Sequence, residues 1–351
     1  MKIIHVSDLH FDSLIENSLD PVKTIERKSE ILFTFKRLAN YANDNGINAI
    51  IISGCMFDRE RISIKTRNFV LSIINDFKDI DFIFAPSNKY EYELLLENET
   101  LPNNFYVFDT KWSNITYENI NISGIVFNDA SKTYLYETLN LDKEKINIVL
   151  LNGKLGPDEI SLDKLKNKNI NYLALGGSNI YEEGQIDSKG IYCYPGFLEG
   201  HNFKDLGPKG FVLLNIENDK IEHKFIPFAK REIKEVSLNI TGLDSWTDVR
   251  KKLSIQLKDV SKEDLILLKL QGKYNLSLVK KLDLLTDSLN EEFYYVKVLD
   301  ESSLEIDPKV YEKEVSLKGE FIRNVLSKDL DEDKKNEIIE YGIKALMKED
   351  I

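Results

Sequence analysis

Apolar and polar positions in the first 230 residues follow two periods in turn. Short apolar runs at Lys2–Ser7, Ala49–Ile52, Phe82–Ala85, Ile146–Leu151 and Tyr172–Leu175 read as buried strands. Helical spacing separates them. Pro21–Ala42 puts Ile25, Leu32, Phe35 and Ala39 on one side and stops at Asn45-Gly46, and Lys65–Phe77 spaces Phe69, Ile73 and Phe77 by four. Strand and helix in alternation predict an α/β fold, with a parallel or mixed sheet covered by helices. Thr116–Tyr117 with Asn121–Val126, and Gly210–Ile216 with Lys220–Pro227 around Glu217-Asn218-Asp219, read as antiparallel hairpins.

The pattern restarts after Phe228-Ala229-Lys230-Arg231. Strand Ile233–Ile240, a helix capped by Asp244 and running through Leu257, strand Leu265–Leu270, helix Ser277–Leu289 and strand Phe293–Leu299 make a small β-α-β-α-β unit. Asp307-Pro308 then opens a tail with two amphipathic stripes, Leu317, Phe321 and Val325, then Ile339, Ile343 and Leu346, joined by the acidic turn Asp329–Asp333. Such a pair either folds onto its own domain or docks on a partner. The predicted divisions are 1–230, 231–305 and 306–351.

Composition narrows the function classes. A chain of 351 residues has room for about two domains, and 42% hydrophobic with 30% charged residues excludes a disordered or fibrous protein. Lys and Arg total 47 against 59 Asp and Glu; the net charge of −12 excludes a bulk nucleic-acid coat but leaves room for a local basic groove. Cys55 and Cys193 form no disulfide framework, which fits a reducing cytoplasm. The opening MKIIHVSDLH has charges by residue 8 and no apolar core, unlike a signal peptide, and no apolar run reaches the roughly 18 residues needed to cross a bilayer. A cytoplasmic protein without a membrane partner is expected. Histidine is scarce, at four residues.

Five loops at predicted strand ends carry the candidate chemistry: Asp8-Leu9-His10, Ser53–Asp58, Pro86–Tyr90, Leu151-Asn152-Gly153, and Gly176-Gly177-Ser178-Asn179. Ligand sites in α/β sheets lie at the carboxyl ends of strands. Taken alone, Asp8-x-His10 is either a satisfied turn or a metal pair. Cys55 is a buried small residue, a soft-metal ligand or a reactive thiol. Arg59, Arg61, Lys65 and Arg67 are phosphate contacts or a solvated helix start. Cys193 lies on a core strand, His223 on an outer hairpin.

The order and spacing of these loops resemble the calcineurin-like metallophosphoesterases, in particular the SbcD/YhaO type of DNA-repair exonuclease. The stretch Tyr194-Pro195-Gly196-Phe197-Leu198-Glu199-Gly200, followed by Lys209-Gly210-Phe211 and Phe225-Ile226-Pro227, is similar to one that closes that family's catalytic sheet. The resemblance implies a four-layer α/β sandwich, a small DNA-capping domain at 231–305, and a C-terminal helix pair that binds a coiled-coil ATPase of the SbcC/YhaN kind. It also implies a homodimer formed by helices around residues 60–100. Such relatives hydrolyse DNA with two divalent ions, usually manganese, that share an aspartate bridge.

This sequence departs from that pattern at its centre. Asp8, His10 and Asn88 are retained, but Cys55 stands at the bridging aspartate, Lys89 at the catalytic histidine and Tyr90 at the acid after it. Asn152 replaces the histidine after the buried strand, and Gly177 and Asn179 replace the two imidazoles of the last loop. His201 follows Glu199-Gly200 in a loop that the family places near the site. Two adjacent cations need anionic oxygen between them, which a thiol does not offer, and carboxamides are poorer transition-metal ligands than imidazole. The reading is therefore a non-catalytic subunit that scaffolds the ATPase or guides DNA, with at most one weakly bound manganese on Asp8, His10 and Asn88. Its alternative is a manganese-dependent nuclease working from an incomplete site. Lys89 is expected to stand in for a metal by pairing with Asp8 or Asp58. The stripes Leu317/Phe321/Val325 and Ile339/Ile343/Leu346 are expected to bind the partner.

Overall fold

The computed structural model describes residues 1–57, 63–96, 100–127, 132, 134–157, 159–243, 245–275, 278, 282–306, 308–311 and 313–347. Asp58, Arg59, Arg61, Asp244, Ser277 and Asp307, to which expectations were attached, lie outside them. The chain divides into two compact units, Met1–Ile233 and Lys234–Ile351.

The first unit contains two six-stranded sheets among the described residues. One is built from β1 (Lys2–Ser7), β2 (Ala49–Ser53), β3 (Asp81–Ala85), β4 (Phe105–Val107), β11 (Gly210–Glu217) and β12 (Lys220–Pro227), in the order β12-β11-β1-β2-β3-β4. The other is built from β5 (Ser113–Tyr117), β6 (Ile120–Gly124), β7 (Ile146–Asn152), β8 (Tyr172–Gly176), β9 (Glu182–Gln185) and β10 (Ile191–Tyr194), in the order β5-β6-β7-β8-β10-β9. Strands β1 to β4 are parallel, as are β6, β7, β8 and β10, while β11 and β12 run antiparallel, as the hairpin signal predicted.

Side-chain alternation explains why these strands are apolar throughout. Ala49 and Ile51 face inward with Ile3 and Ile83 onto Ile122, Ile148, Leu150 and Ala174 of the opposite sheet. Their neighbours Ile50 and Ile52 are equally buried, on the face covered by helices α1 (Pro21–Asp44) and α2 (Ile64–Asp76). Beyond the second sheet, Val149, Leu151, Leu173 and Leu175 pack with Leu135, Leu139, Ile160 and Leu165. The result is the four-layer α/β sandwich that the resemblance implies.

Helix α1 differs from its predicted face. Phe35 and Ala39 are buried as expected, but Ile25 is exposed, and Arg27 and Glu30 are inside with Ile31, Thr34 and Leu38. Buried charge is tolerated there because it is paired. Arg27 pairs with Glu30 and reaches Glu199 and the Gly200 carbonyl, while Arg231 binds Glu30 through Nε and Nη2 at 2.8–3.1 Å.

His5 joins the two sheets inside the core. Its Nε2 meets Ser53 Oγ at 2.7 Å and its Nδ1 meets Tyr172 OH at 2.9 Å, across the sandwich. Burial pushes the imidazole from 6.5 down to about 3, so the folded state refuses a proton that the unfolded chain accepts. Stability from this residue is therefore lost as pH falls below about 6.5. Between pH 7 and 5 the loss is about 2 kcal/mol, at ~1.4 kcal/mol per pH unit. Urea unfolding at the two pH values should show a stability difference about 2 kcal/mol smaller in His5→Gln than in the parent. Equal differences would mean that His5 is protonated in the fold.

In the second unit, β13 (Ile233–Asn239), β14 (Leu265–Gln271) and β16 (Tyr295–Asp300) form a three-stranded sheet in the order β13-β14-β16, with β14 parallel to β16. The short strands β15 (Lys273–Tyr274) and β17 (Ser303–Leu304), which follow β14 and β16 in the chain, pair in parallel with each other. Helices Trp246–Gln256 and Leu282–Glu292 pack on the larger sheet through Val249, Leu253, Leu285 and Leu289. Ser245 caps the first of these helices, its hydroxyl accepting from the Asp248 amide at 3.3 Å. The terminal helices Leu317–Leu326 and Glu332–Met347 share the same core: Ile322, Val325, Ile339 and Ile343 are buried in it, and Phe321 packs against it. Phe321 lies where a Cβ on Gly342 would meet its ring at 2.1 Å, so that glycine lets the two helices approach. Leu317, at 70% exposure, and Leu346 face solvent. Among the described residues no helix is long and apolar enough to cross a membrane.

Candidate functional site

Register brings the loops together. Ser7, Ser53 and Ala85 are aligned neighbours in the first sheet, and Asn152 is aligned with Gly176 in the second. The following residues therefore leave both sheets at one end of the sandwich. Contact between the sheets here is close: a Cβ at Gly54 (φ +81°) would fall 1.6 Å from Asn152 Nδ2, and one at Gly176 would fall 1.9 Å from the Ser53 carbonyl oxygen. Only glycine fits either position.

The first and second loops are held in register by backbone bonds, His10 N–H to the Cys55 carbonyl at 3.1 Å and Phe11 N–H to the Met56 carbonyl at 3.0 Å. Asp8 and His10 take left-handed backbone angles, φ 50° and 44°. Outside glycine these are adopted where surrounding structure enforces them. Asp12 (φ 64°) accepts from Ser63 N–H at 2.7 Å and from Thr66 Oγ1 at 2.8 Å, tying the first loop to the start of α2. As a result, a carboxylate oxygen of Asp8, a ring nitrogen of His10 and Cys55 Sγ lie within 4.8 Å of one another.

Burial dominates the electrostatics. It pushes the Asp8 carboxyl up to about 7, against the Gly177 amide that donates to its Oδ2 at 2.8 Å. Burial, together with the charges of Asp8 and Glu91, pushes the Cys55 thiol up to about 12. A reactive thiolate at Cys55 is thereby excluded at neutral pH.

The other expected residues are occupied elsewhere. Lys89 opens helix α3 (Lys89–Leu96) with its side chain 65% exposed, and pairs with Glu93 one turn on, at 3.0 Å, instead of with Asp8. The i,i+4 spacing puts both on one helix face, so the expected pairing of Lys89 with Asp8 is not made, while Asp58 lies outside the described residues. Asn88 Oδ1 accepts the Glu91 amide and its Nδ2 donates to Ser87 Oγ, which makes it the cap of α3. Asn179 donates to Asp205 at 3.0 Å and Gly177 contributes its backbone amide; Asn152 is the exception, its Nδ2 buried beside Gly54 with no hydrogen-bond partner among the described residues. Lys65 is exposed, whereas Arg67 is buried, so the cationic run is not one solvated face. Cys193 is in the core, as expected. His223, on the outer hairpin as expected, contacts Glu183 through Nε2 at 2.7 Å.

Two residues matter more than the sequence indicated. Glu91 is 3% exposed, and its carboxylate accepts from Met56 N–H (2.6 Å), Phe57 N–H (3.1 Å), and Ser87 N–H and Oγ (both 2.9 Å). It pins the second loop to the third. The Asn88-x-x-Glu91 spacing of a capping box is the signal that points to it. His201 is 6% exposed and stacks edge-on between Phe197 (5.0 Å) and His10 (6.2 Å), yet neither of its ring nitrogens has a hydrogen-bond partner among the described residues. Burial pushes it down to about 4, with the His10 charge acting in the same direction.

Among the described residues the donor set does not fit two bridged ions: Asp8 is the one carboxylate that converges with His10 and Cys55, and Asn88 and Asn179 are turned to other partners. Its chemistry fits one ion, with Asp8, His10 and Cys55 as the residues that would hold it.

No protein-family model and no curated protein matches this sequence. Among solved structures, the chain is similar to the protein TT1561 of Thermus thermophilus (14% identity, TM-score 0.42), over 64% of this chain and 98% of that one. It is also similar to a dimetal phosphatase from Danio rerio (10% identity, TM-score 0.45), over 64% of this chain and 95% of that one. A glutamine-dependent NAD+ synthetase from Acinetobacter baumannii aligns with 99% of this chain and 73% of its own, at 10% identity and TM-score 0.38.

Proposed function

We propose that this chain is an SbcD/YhaO-like metallophosphoesterase subunit that has given up two-metal hydrolysis and serves a coiled-coil ATPase as a scaffold or DNA guide. The observation that carries the reading is the closure of the loop cluster by the protein's own groups. Glu91 binds the backbone of the second and third loops, the Gly177 amide binds Asp8, and Asn179 binds Asp205, where a two-ion centre would instead direct its ligands at metal. Among the described residues no second carboxylate converges with Asp8, His10 and Cys55, and without a bridging oxygen anion two divalent ions a few ångströms apart repel strongly. Leu317, Leu346 and Tyr341 leave apolar surface on the terminal helices beside the buried Val325, Ile339 and Ile343, which supports a partner surface there.

The test is manganese-dependent hydrolysis of linear duplex DNA and of a chromogenic phosphodiester. The expected rate is no higher than that of Asp8→Ala. A manganese-dependent rate that Asp8→Ala abolishes would overturn the reading in favour of a nuclease. For the partner, Leu317→Asp should release a co-expressed coiled-coil ATPase while leaving the fold intact; undiminished co-purification would move the binding surface elsewhere.

A further inference from the structure

We propose that the outer edge of strand β12 pairs antiparallel with the same edge of a second copy of this chain, about a twofold axis at His223. The proposal goes beyond the reading above and does not depend on it.

Strand β12 (Lys220–Pro227) ends the first sheet, and its outer side faces no strand among the described residues. Its pairing with β11 runs unbroken from Glu217 opposite Lys220 to Gly210 opposite Pro227. The direction of its backbone groups follows from β11. Ile216 N–H donates to the Met1 carbonyl at 2.8 Å and Gly210 N–H to the Phe197 carbonyl at 3.1 Å, both away from β12. By antiparallel alternation, Ile221, His223 and Phe225 then turn their N–H and C=O groups outward, away from β11. Such a row is a template for another strand unless a bulge, an interior proline or charges of one sign blunt it. Strand β12 has no bulge, its proline is its last residue, and its charges alternate in sign at Lys220, Glu222 and Lys224.

This edge is complementary to itself in one register. With the axis at His223, Ile221 stands opposite Phe225 of the second copy, Glu222 opposite Lys224, and His223 opposite itself. The His223–His223 and Ile221–Phe225 pairs exchange two N–H···O bonds each, because theirs are the outward groups. Glu222 and Lys224, both exposed, form the closer pairs without hydrogen bonds, where opposite charges attract across strands. An axis one residue earlier sets Glu222 against itself and Lys220 against Lys224; one residue later, Lys224 meets itself. Like charges directly opposite disfavour both. The inner face is compatible: Ile221 and Phe225 pack with the core between the sheets, and Glu183 of β9 holds the His223 ring at 2.7 Å. This surface is separate from the helices around residues 60–100 through which the resemblance implies a dimer.

Sedimentation of the full-length chain tests the axis. The parent should show a monomer–dimer equilibrium. Glu222→Lys and Lys224→Glu should each weaken the dimer at least about tenfold, since each turns both Glu–Lys contacts into like-charge pairs. An equimolar mixture of the two variants should restore it, because each supplies the charge that the other lacks, and so should the two substitutions combined in one chain. Should a variant fail to fold, hydrogen exchange of the parent still decides: the outward amides of Ile221, His223 and Phe225 should slow as concentration rises. A parent that stays monomeric up to its solubility limit, or a dimer indifferent to Glu222→Lys, would overturn the proposal. So would a mixture or double variant that stays dissociated, or outward amides that exchange equally fast at every concentration.

Discussion

Glu30→Ala is expected to destabilise the first unit by about 4 kcal/mol, the larger of two large effects in this chain. Glu30 sits inside α1 facing Arg231, which bonds it through Nε and Nη2, and also receives Arg27 and the Lys230 ammonium at 2.6 Å. Burial alone would raise its carboxyl; the bonds from Arg231 and Lys230 and the charge of Arg27 outweigh that and hold it at about 2. Its contribution is therefore complete above about pH 4.5 and fades as pH falls towards 2. Removing the carboxylate takes the shared anion from two guanidiniums that are 1% and 3% exposed; Arg27 keeps Glu199 and the Gly200 carbonyl, and Arg231 keeps the more exposed Glu26. The measurement can be confined to one unit because Trp112 and Trp246 are the chain's only tryptophans, one in each. In a Trp246→Phe background, urea unfolding followed by fluorescence reports the first unit alone. A shift below about 1 kcal/mol would mean that the arginines find water or other partners on relaxing.

Glu91→Ala should follow at about 3 kcal/mol. Three backbone amides, those of Met56, Phe57 and Ser87, lose their acceptor together, and Met56 and Phe57 are buried too deeply for water to replace it fully. Glu91→Gln is not conservative here, because the carboxamide turns donors toward groups that are themselves donors. The same change removes one of the charges that hold the Cys55 thiol up, so Cys55 should react faster with a disulfide reagent in Glu91→Gln than in the parent. Unchanged stability and unchanged thiol reactivity would show that Glu91 does not pin the loops.

Much of the frame was legible because strand burial on both faces leaves an unbroken apolar run. Lys2–Ser7 is found as predicted, and Ala49–Ser53, Ile146–Asn152 and Tyr172–Gly176 each extend one residue beyond the run, where polarity rises at the carboxyl end. The site was less legible, for a physical reason in each case. Lys89 and Tyr90 stand at the fixed motif positions, whereas the carboxylate that organises the loops is Glu91, one place later, whose signal in the sequence is its spacing from the helix cap Asn88. Arg27 and Glu30 interrupt the apolar face of α1, and their partners Glu199 and Arg231 are 172 and 201 residues away. No local window carries that information. In the tail, spacing by three and four identified two amphipathic helices but not what their stripes meet: Val325, Ile339 and Ile343 turned to the unit's own core, while Leu317 and Leu346 were left outside it.

The clamp on Arg231 also sets where this chain can be cut. A gene fragment ending at Ala229 would keep every strand of the sandwich yet deprive Glu30 of two of its three cations, since Lys230 and Arg231 lie just beyond. A fragment ending after Ile233 retains both, together with the Gly207–Ile233 bridge. For recombinant expression of the first unit, the fragment ending after Ile233 should therefore be the more stable of the two.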